Sequence, residues 1–225
     1  MTDKTTPSTH KFRAHPAWIT LWSVLYLSFL VLGLIFPDSL IVSIIKLAGI
    51  FLCVLFVLIQ FKGDRLIQLA FLCTLAADLV LAADNTAATG VLVFCGAQLA
   101  HFMRLNRNGV AARIWLVIAL IILVVGALIP PEIGIFFYAT VYAGTLLSNL
   151  ILAIDWYRRD RSFYSLTALL GFILFIACDL NVAASYGAVI SVFPAAVQGF
   201  ANYASWVFYF PSQILLAHSS RSMVK

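Results

Sequence analysis

Two aspartates and a lysine stand where ionisable residues are costly. Asp78, Asp179 and Lys46 each interrupt a long apolar run, and His101 is a titratable companion in a fourth. Charged side chains inside a membrane span are rare and by default mark a functional site. The aspartates share a context: Ala76 to Ala83 (AADLVLAA) aligns without a gap on Ala177 to Ala184 (ACDLNVAA), 101 residues further on. Two carboxylates sharing a low-dielectric cavity cannot both ionise cheaply. One is expected to keep its proton, while a nearby lysine holds the other charged. That sets an acid and a base side by side without a cofactor or metal, the arrangement of general acid–base hydrolysis. A suitable substrate enters from lipid, is uncharged at its reacting atoms and reacts on protonation, as a vinyl ether or an epoxide does. A peptide or ester would want a nucleophile and an oxyanion hole, and the sequence offers neither.

The elements that must carry these residues are membrane spans. Of 225 residues 63% are apolar and only 10% charged, and the mean hydropathy is +1.03, far from a soluble composition. Apolar runs occupy 18–36, 39–61, 66–83, 86–106, 112–129, 132–154, 165–184 and 195–217. Each is long enough, at about 1.5 Å per residue, to cross a hydrocarbon core about 30 Å thick. The expectation is an all-α polytopic membrane protein of eight transmembrane helices over 18–218, with polar cytosolic tails at 1–17 and 219–225. No small-residue cleavage site closes the first run, so it is expected to stay as a span. With the N-terminus cytosolic, thirteen of the fourteen Lys and Arg residues fall in inside segments, while the outside turns hold Asp38, Asp84 and Glu132. That bias satisfies the positive-inside rule with both termini inside. The net charge of +5 therefore reflects topology and not nucleic-acid binding. Loops of a few residues leave no room for a soluble catalytic domain, so any chemistry happens within the bundle. Short loops and a compact tail point to a bacterial inner (plasma) membrane.

Depth gathers the ionisable residues. Lys46, Asp78 and Asp179 fall about 8–11 Å below the outer boundary at helical rise, and span 8 brings Asn202 and Tyr203 to a similar level. The matching aspartate segments, if they reflect duplication, give two parallel four-helix halves about an axis along the membrane normal. Span 8 carries Gln198, Asn202, Ser205, Tyr209 and Gln213 on one face, and span 6 carries Tyr138, Tyr142, Thr145 and Asn149; both follow helical spacing. Span 5 has no polar residue from Ile114 to Leu128 and is expected to face lipid. Spans 2, 3, 4, 6, 7 and 8 are expected to line a polar interior. The four cysteines read as small apolar packers, and Trp18, Trp22 and Trp156 as residues of the interfacial belt.

Several chemistries are excluded. A haem protein needs paired histidines within spans, and only His101 qualifies. No zinc-ligand spacing, HExxH or GxSxG occurs, and span 8 has no lysine for a retinal Schiff base. The competing class is a proton-coupled carrier, which also uses intramembrane Asp and Lys. A structural membrane subunit is the blandest reading.

Lys46, the segment FLCTLAADLVLA around Asp78, GAQLAHFMRL with His101, GFILFIACDLNVAA around Asp179, and YASWVFYFPSQILLAH with Gln213 resemble, in order and spacing, the successive motifs of the YhhN family. The resemblance covers about residues 40–218 and implies an eight-helix membrane protein of a family that includes lysoplasmalogenases. Leu47, Ala77 and Cys178 depart from the proline, glycine and serine usual there, and the family's aromatic after the histidine is not evident near Leu105. The reaction implied is hydrolysis of the vinyl-ether bond of a lysoplasmalogen, giving a fatty aldehyde and a glycerophospho-alcohol. Asp78 and Asp179 would be catalytic. Lys46, His101, Asn202, Tyr203 and Gln213 would support the site or bind a single-chain lipid in the bilayer.

Overall fold

The computed structural model describes residues 16–37, 39–84, 87–106, 109–189 and 195–220. The tail residues Lys4, Lys11 and Arg13, the turn residue Asp38, Arg107, and Arg221 and Lys225 at the end lie outside them. Eight helices are present among the described residues: α1 (Pro16–Ile35), α2 (Leu40–Gln60), α3 (Arg65–Asp84), α4 (Ala87–Leu105), α5 (Val110–Ala127), α6 (Pro131–Asp160), α7 (Phe163–Val189) and α8 (Ala195–His218). The fold is all-α. Six helices, α1 to α4, α6 and α7, are long and apolar enough to cross a membrane. Helix α5 spans 18 residues, and α8 is diluted by the amides Asn202 and Gln213. Large apolar side chains such as Leu34, Ile121 and Phe136 cover the outside, as a bundle solvated by lipid requires.

Helices α6 and α7 run longer than the apolar runs alone indicate. In α6 the helix continues through Trp156 to Asp160, with Arg158 and Arg159 in its last turn, where cations complement the helix dipole. Helix α7 extends five residues beyond the expected end at Ala184. Helix α1 begins at Pro16, inside the expected tail. At the other end Ser219 and Ser220, also expected in a tail, are buried.

Packing follows a regular scheme. α1 lies on α2, α2 on α3 and α3 on α4, and the succession recurs as α5 on α6, α6 on α7 and α7 on α8. Across the bundle α4 meets α5 and α6, just as α8 meets α1 and α2. Moving each helix four places along the chain converts one set into the other.

Local chemistry explains the tightest joints. Pro211 lies inside α8 and has no N–H to donate to the Val207 carbonyl one turn back. The Tyr26 hydroxyl of α1 donates to that carbonyl at 3.0 Å. In return the Tyr203 hydroxyl of α8 donates to Leu30 O of α1 at 2.9 Å. At the α5–α6 joint a Cβ on Gly134 would sit 2.6 Å from Gly126 O, so the backbones approach too closely for any larger residue. Trp22 is a correction to the interfacial belt: it is 2% exposed and packs edge-on against Phe56 and His218, at 5.0 and 5.2 Å between ring centres. As expected, α5 presents Ile114, Val117 and Val124 outward.

Candidate active site

A cavity of about 230 Å³ opens between α3, α4, α6, α7 and α8. Asp78 and Asp179 both line it, with Asn202 and Ser205 supplying further polar lining and Phe94, Phe175 and Trp206 supplying aromatic walls. Two carboxylates from helices distant in sequence thus face one small space. Asp78 is 7% exposed, whereas Asp179 is half-buried and Asn202 is exposed. The cavity is therefore deep on the α3 side and accessible on the α7–α8 side.

Each carboxylate is held by a tyrosine. The Tyr209 hydroxyl of α8 donates to Asp78 Oδ2 at 2.8 Å, and the Tyr142 hydroxyl of α6 donates to Asp179 Oδ2 at 2.8 Å. Hydrogen bonds to ionised acceptors are about twice as strong as neutral ones, and each fixes the orientation of the acid it reaches. The tyrosine rings are themselves fixed. Trp206, Phe175 and Phe94 meet Tyr209 edge-to-face at 5.0, 5.6 and 6.4 Å, and Phe94 meets Tyr142 at 6.2 Å. Such arrangements suit the ring quadrupoles. The sequence places both tyrosines on polar helix faces, but it does not reveal that each reaches an aspartate. Phe94, Phe175 and Trp206 carry no sequence signal at all, because aromatic residues are common throughout the chain.

The remaining expected site residues are dispersed. Lys46 Nζ lies 4.8 Å from the centre of the Trp206 ring and 5.8 Å from that of Phe29. Trp206 lines the cavity and Lys46 is not among the lining residues, so the ammonium rests on the outer aromatic framework. Tyr203 stacks on Phe29 at 5.6 Å and spends its hydroxyl on α1. Gln213 is fully buried one turn beyond Tyr209, and its Nε2 reaches Ser212 Oγ at 3.4 Å. His101 is buried between Phe71 and Phe172, at 6.1 and 5.5 Å. The structure brings together Asp78, Asp179 and Asn202, and leaves Lys46, His101, Tyr203 and Gln213 outside the lining. Cys178 also lines the cavity. The cysteines form no disulfide among the described residues, nor does any group of His, Cys, Asp and Glu there have metal-site geometry.

An apolar helical bundle that encloses tyrosine-tethered carboxylates is a membrane protein with its polar chemistry inside. The chain belongs to the YhhN family, whose model matches residues 41–220, from α2 to just past α8. Searches of curated proteins and of solved structures gave no match.

Proposed function

We propose that this chain is a lysoplasmalogenase-like hydrolase that cleaves the vinyl-ether bond of a single-chain ether lipid. The observation that carries the reading is the convergence of Asp78 and Asp179 on one aromatic-walled cavity, each with a tyrosine hydroxyl on it. Family membership supports it. The cavity is smaller than the roughly 300–1,000 Å³ of sites that engulf a drug-sized ligand. It suits a segment of a lipid, the vinyl ether and its glycerol neighbour, with the acyl-like chain left among the apolar helices.

In the proposed reaction the protonated member of the Asp78/Asp179 pair delivers its proton to the vinyl carbon remote from oxygen. The positive charge that develops on the ether carbon and oxygen lies beside the ionised partner, which directs a water onto that carbon. Collapse of the hemiacetal releases a fatty aldehyde and a glycerophospho-alcohol. Tyr142 and Tyr209 orient the acids, while Asn202 and Ser205 hold water or the glycerol hydroxyl. Lys46 acts through Trp206 as a positioning residue. Eight crossings with both termini cytosolic, in a bacterial inner membrane, would put the cavity in the outer half of the bilayer. The paired packing scheme and the matched aspartate segments support two parallel four-helix halves.

The experiment is incubation of purified protein with a panel of single-chain vinyl-ether, alkyl-ether and ester lipids, read by mass spectrometry. Aldehyde from the vinyl ether alone fits the reading. Flux of unaltered lipid in sealed liposomes without aldehyde would replace it with a carrier.

A further inference from the structure

Helices α4 and α8 face each other across the bundle and are linked by side chains at two levels. Phe94 and Tyr209 meet at 6.4 Å beside the cavity, and Arg104 Nη2 donates to Ser219 Oγ at 2.8 Å about three turns away. Both contacts join residues 115 apart in sequence, so the helices are parallel and stay level between them. The same offset sets Gln98 level with Gln213, one turn below the cavity-lining Phe94 and Tyr209.

Both glutamines are wholly buried. Asn149 Nδ2 of α6 donates to Gln98 Oε1 and to Gln98 O at 2.9 and 3.0 Å. That leaves Gln98 Nε2, a donor, and Asn149 Oδ1, an acceptor, with no hydrogen-bond partner among the described residues. Gln213 Oε1, an acceptor, is in the same position, and so is Nδ1 of His101, the next residue along the Gln98 face of α4. Buried polar groups are almost always satisfied by protein or by ordered water. Internal water makes about three hydrogen bonds and collects where unsatisfied donors and acceptors meet. Below this layer the polar column continues through Arg104 and Ser219 to Ser220, whose hydroxyl donates to Asp64 Oδ2 at 2.9 Å. Above it Gln213 shares its helix face with Tyr209, which reaches Asp78.

We infer that Gln98, Asn149, Gln213 and His101 hold a cluster of internal water beneath the cavity, and that this cluster supplies water and protons to the two carboxylates from the α4–α8 C-terminal end. The lipid then enters from one side and the hydrolytic water from the other. The supply role rests on the hydrolytic reading, whereas the water site does not.

The test takes the full chain in lipid nanodiscs. An experimental structure that resolves ordered water should show density bridging Gln98 Nε2 and Gln213 Oε1; direct amide-to-amide contact with no such density overturns the site. Infrared spectra after transfer to D2O then follow deuterium uptake at the protonated carboxyl, its band assigned by loss in Asp78→Asn or Asp179→Asn. Gln98→Met and Gln213→Met, each close to isosteric, should slow that uptake at least about tenfold, a small part of the about 10²–10⁴-fold that a positioned proton donor contributes. Uptake as fast as in the parent protein overturns the supply role. Neither readout requires lipid turnover, so a parent protein inactive on ether lipids would count against the hydrolytic reading alone.

Discussion

Removing the Tyr209 hydroxyl should cost more activity than removing that of Tyr142. Each side chain makes one 2.8 Å hydrogen bond to a carboxylate oxygen, and Phe preserves the ring that packs on the aromatic walls. A hydrogen bond is worth about 0.5–1.5 kcal/mol to a neutral acceptor and about 1.5–3 kcal/mol to a charged one, together about 2- to 150-fold in rate. Burial decides where in that range each bond falls. Tyr209 and Asp78 are 5% and 7% exposed, so water cannot take the place of the lost hydroxyl, and Tyr209→Phe should fall near the upper end. Tyr142 and Asp179 are half-buried, and water held in the cavity can substitute there, which sets Tyr142→Phe at about tenfold or less. The assay is aldehyde release from a lysoplasmalogen by purified protein, with kcat and KM resolved and folding checked by thermal unfolding. In an Asp78→Asn background, any residual activity should respond little to Tyr209→Phe, because coupled residues are not additive. Equal losses in the two tyrosine variants, or a larger loss at Tyr142, would refute the assignment of a deep and a shallow acid.

Asp78→Asn and Asp179→Asn should each lower turnover by about 10²–10⁴-fold, the span attributed to a positioned acid or base, while the protein still inserts and elutes as the parent does; substantial activity in either ends the two-acid scheme. Lys46→Met should lower kcat less than tenfold and shift the Trp206 fluorescence, since the lysine contacts the indole at 4.8 Å and not the cavity; a loss as large as that of an aspartate variant would place the amine in the chemistry. Tyr26→Phe leaves the Val207 carbonyl beside Pro211 without its donor, which should destabilise the bundle by about 1–3 kcal/mol in unfolding assays and leave KM unchanged. Gly134→Leu should destabilise more, because the Gly126 carbonyl is backbone and cannot yield; an unchanged unfolding midpoint would show that the α5–α6 joint is looser than described.

What the sequence reveals here is what is local. A charge within an apolar run is visible by type and position alone, and Asp78 and Asp179 do meet at one cavity. Helix count follows from run length, and much of the inward faces of α6 and α8 from spacing: Tyr138, Thr145, Asn149, Ser205, Tyr209 and Gln213 are buried, while Tyr142 is half-buried and Gln198 and Asn202, at the start of the α8 stripe, are exposed. What stays hidden depends on pairing between helices. Lys46 has the right depth, yet depth does not fix the azimuth of a side chain, and its long stem carries the ammonium to Trp206 and Phe29. Gln213 and His101 sit below the acids; for His101 its place late in the fourth apolar run already indicates this, and the side-chain link between Phe94 and Tyr209 sets α4 and α8 level. The two tyrosines were legible as members of polar stripes but not as partners of particular carboxylates, since 131 and 37 residues separate the bonded pairs. Trp22 illustrates the converse: a tryptophan early in a first span suits the interface, but the packing of α1 on α2 and α8 turns it inward.

The most direct measurement is turnover of a lysoplasmalogen in D2O, with the aldehyde reduced at once by borohydride and weighed by mass spectrometry. Proton delivery from an aspartate to the vinyl carbon puts one deuterium on the carbon next to the former carbonyl, and Asp78→Asn and Asp179→Asn lower the yield of that product by about 10²–10⁴-fold. Aldehyde carrying no deuterium at that carbon, or formed equally well by either variant, would contradict catalysis by the two carboxylates.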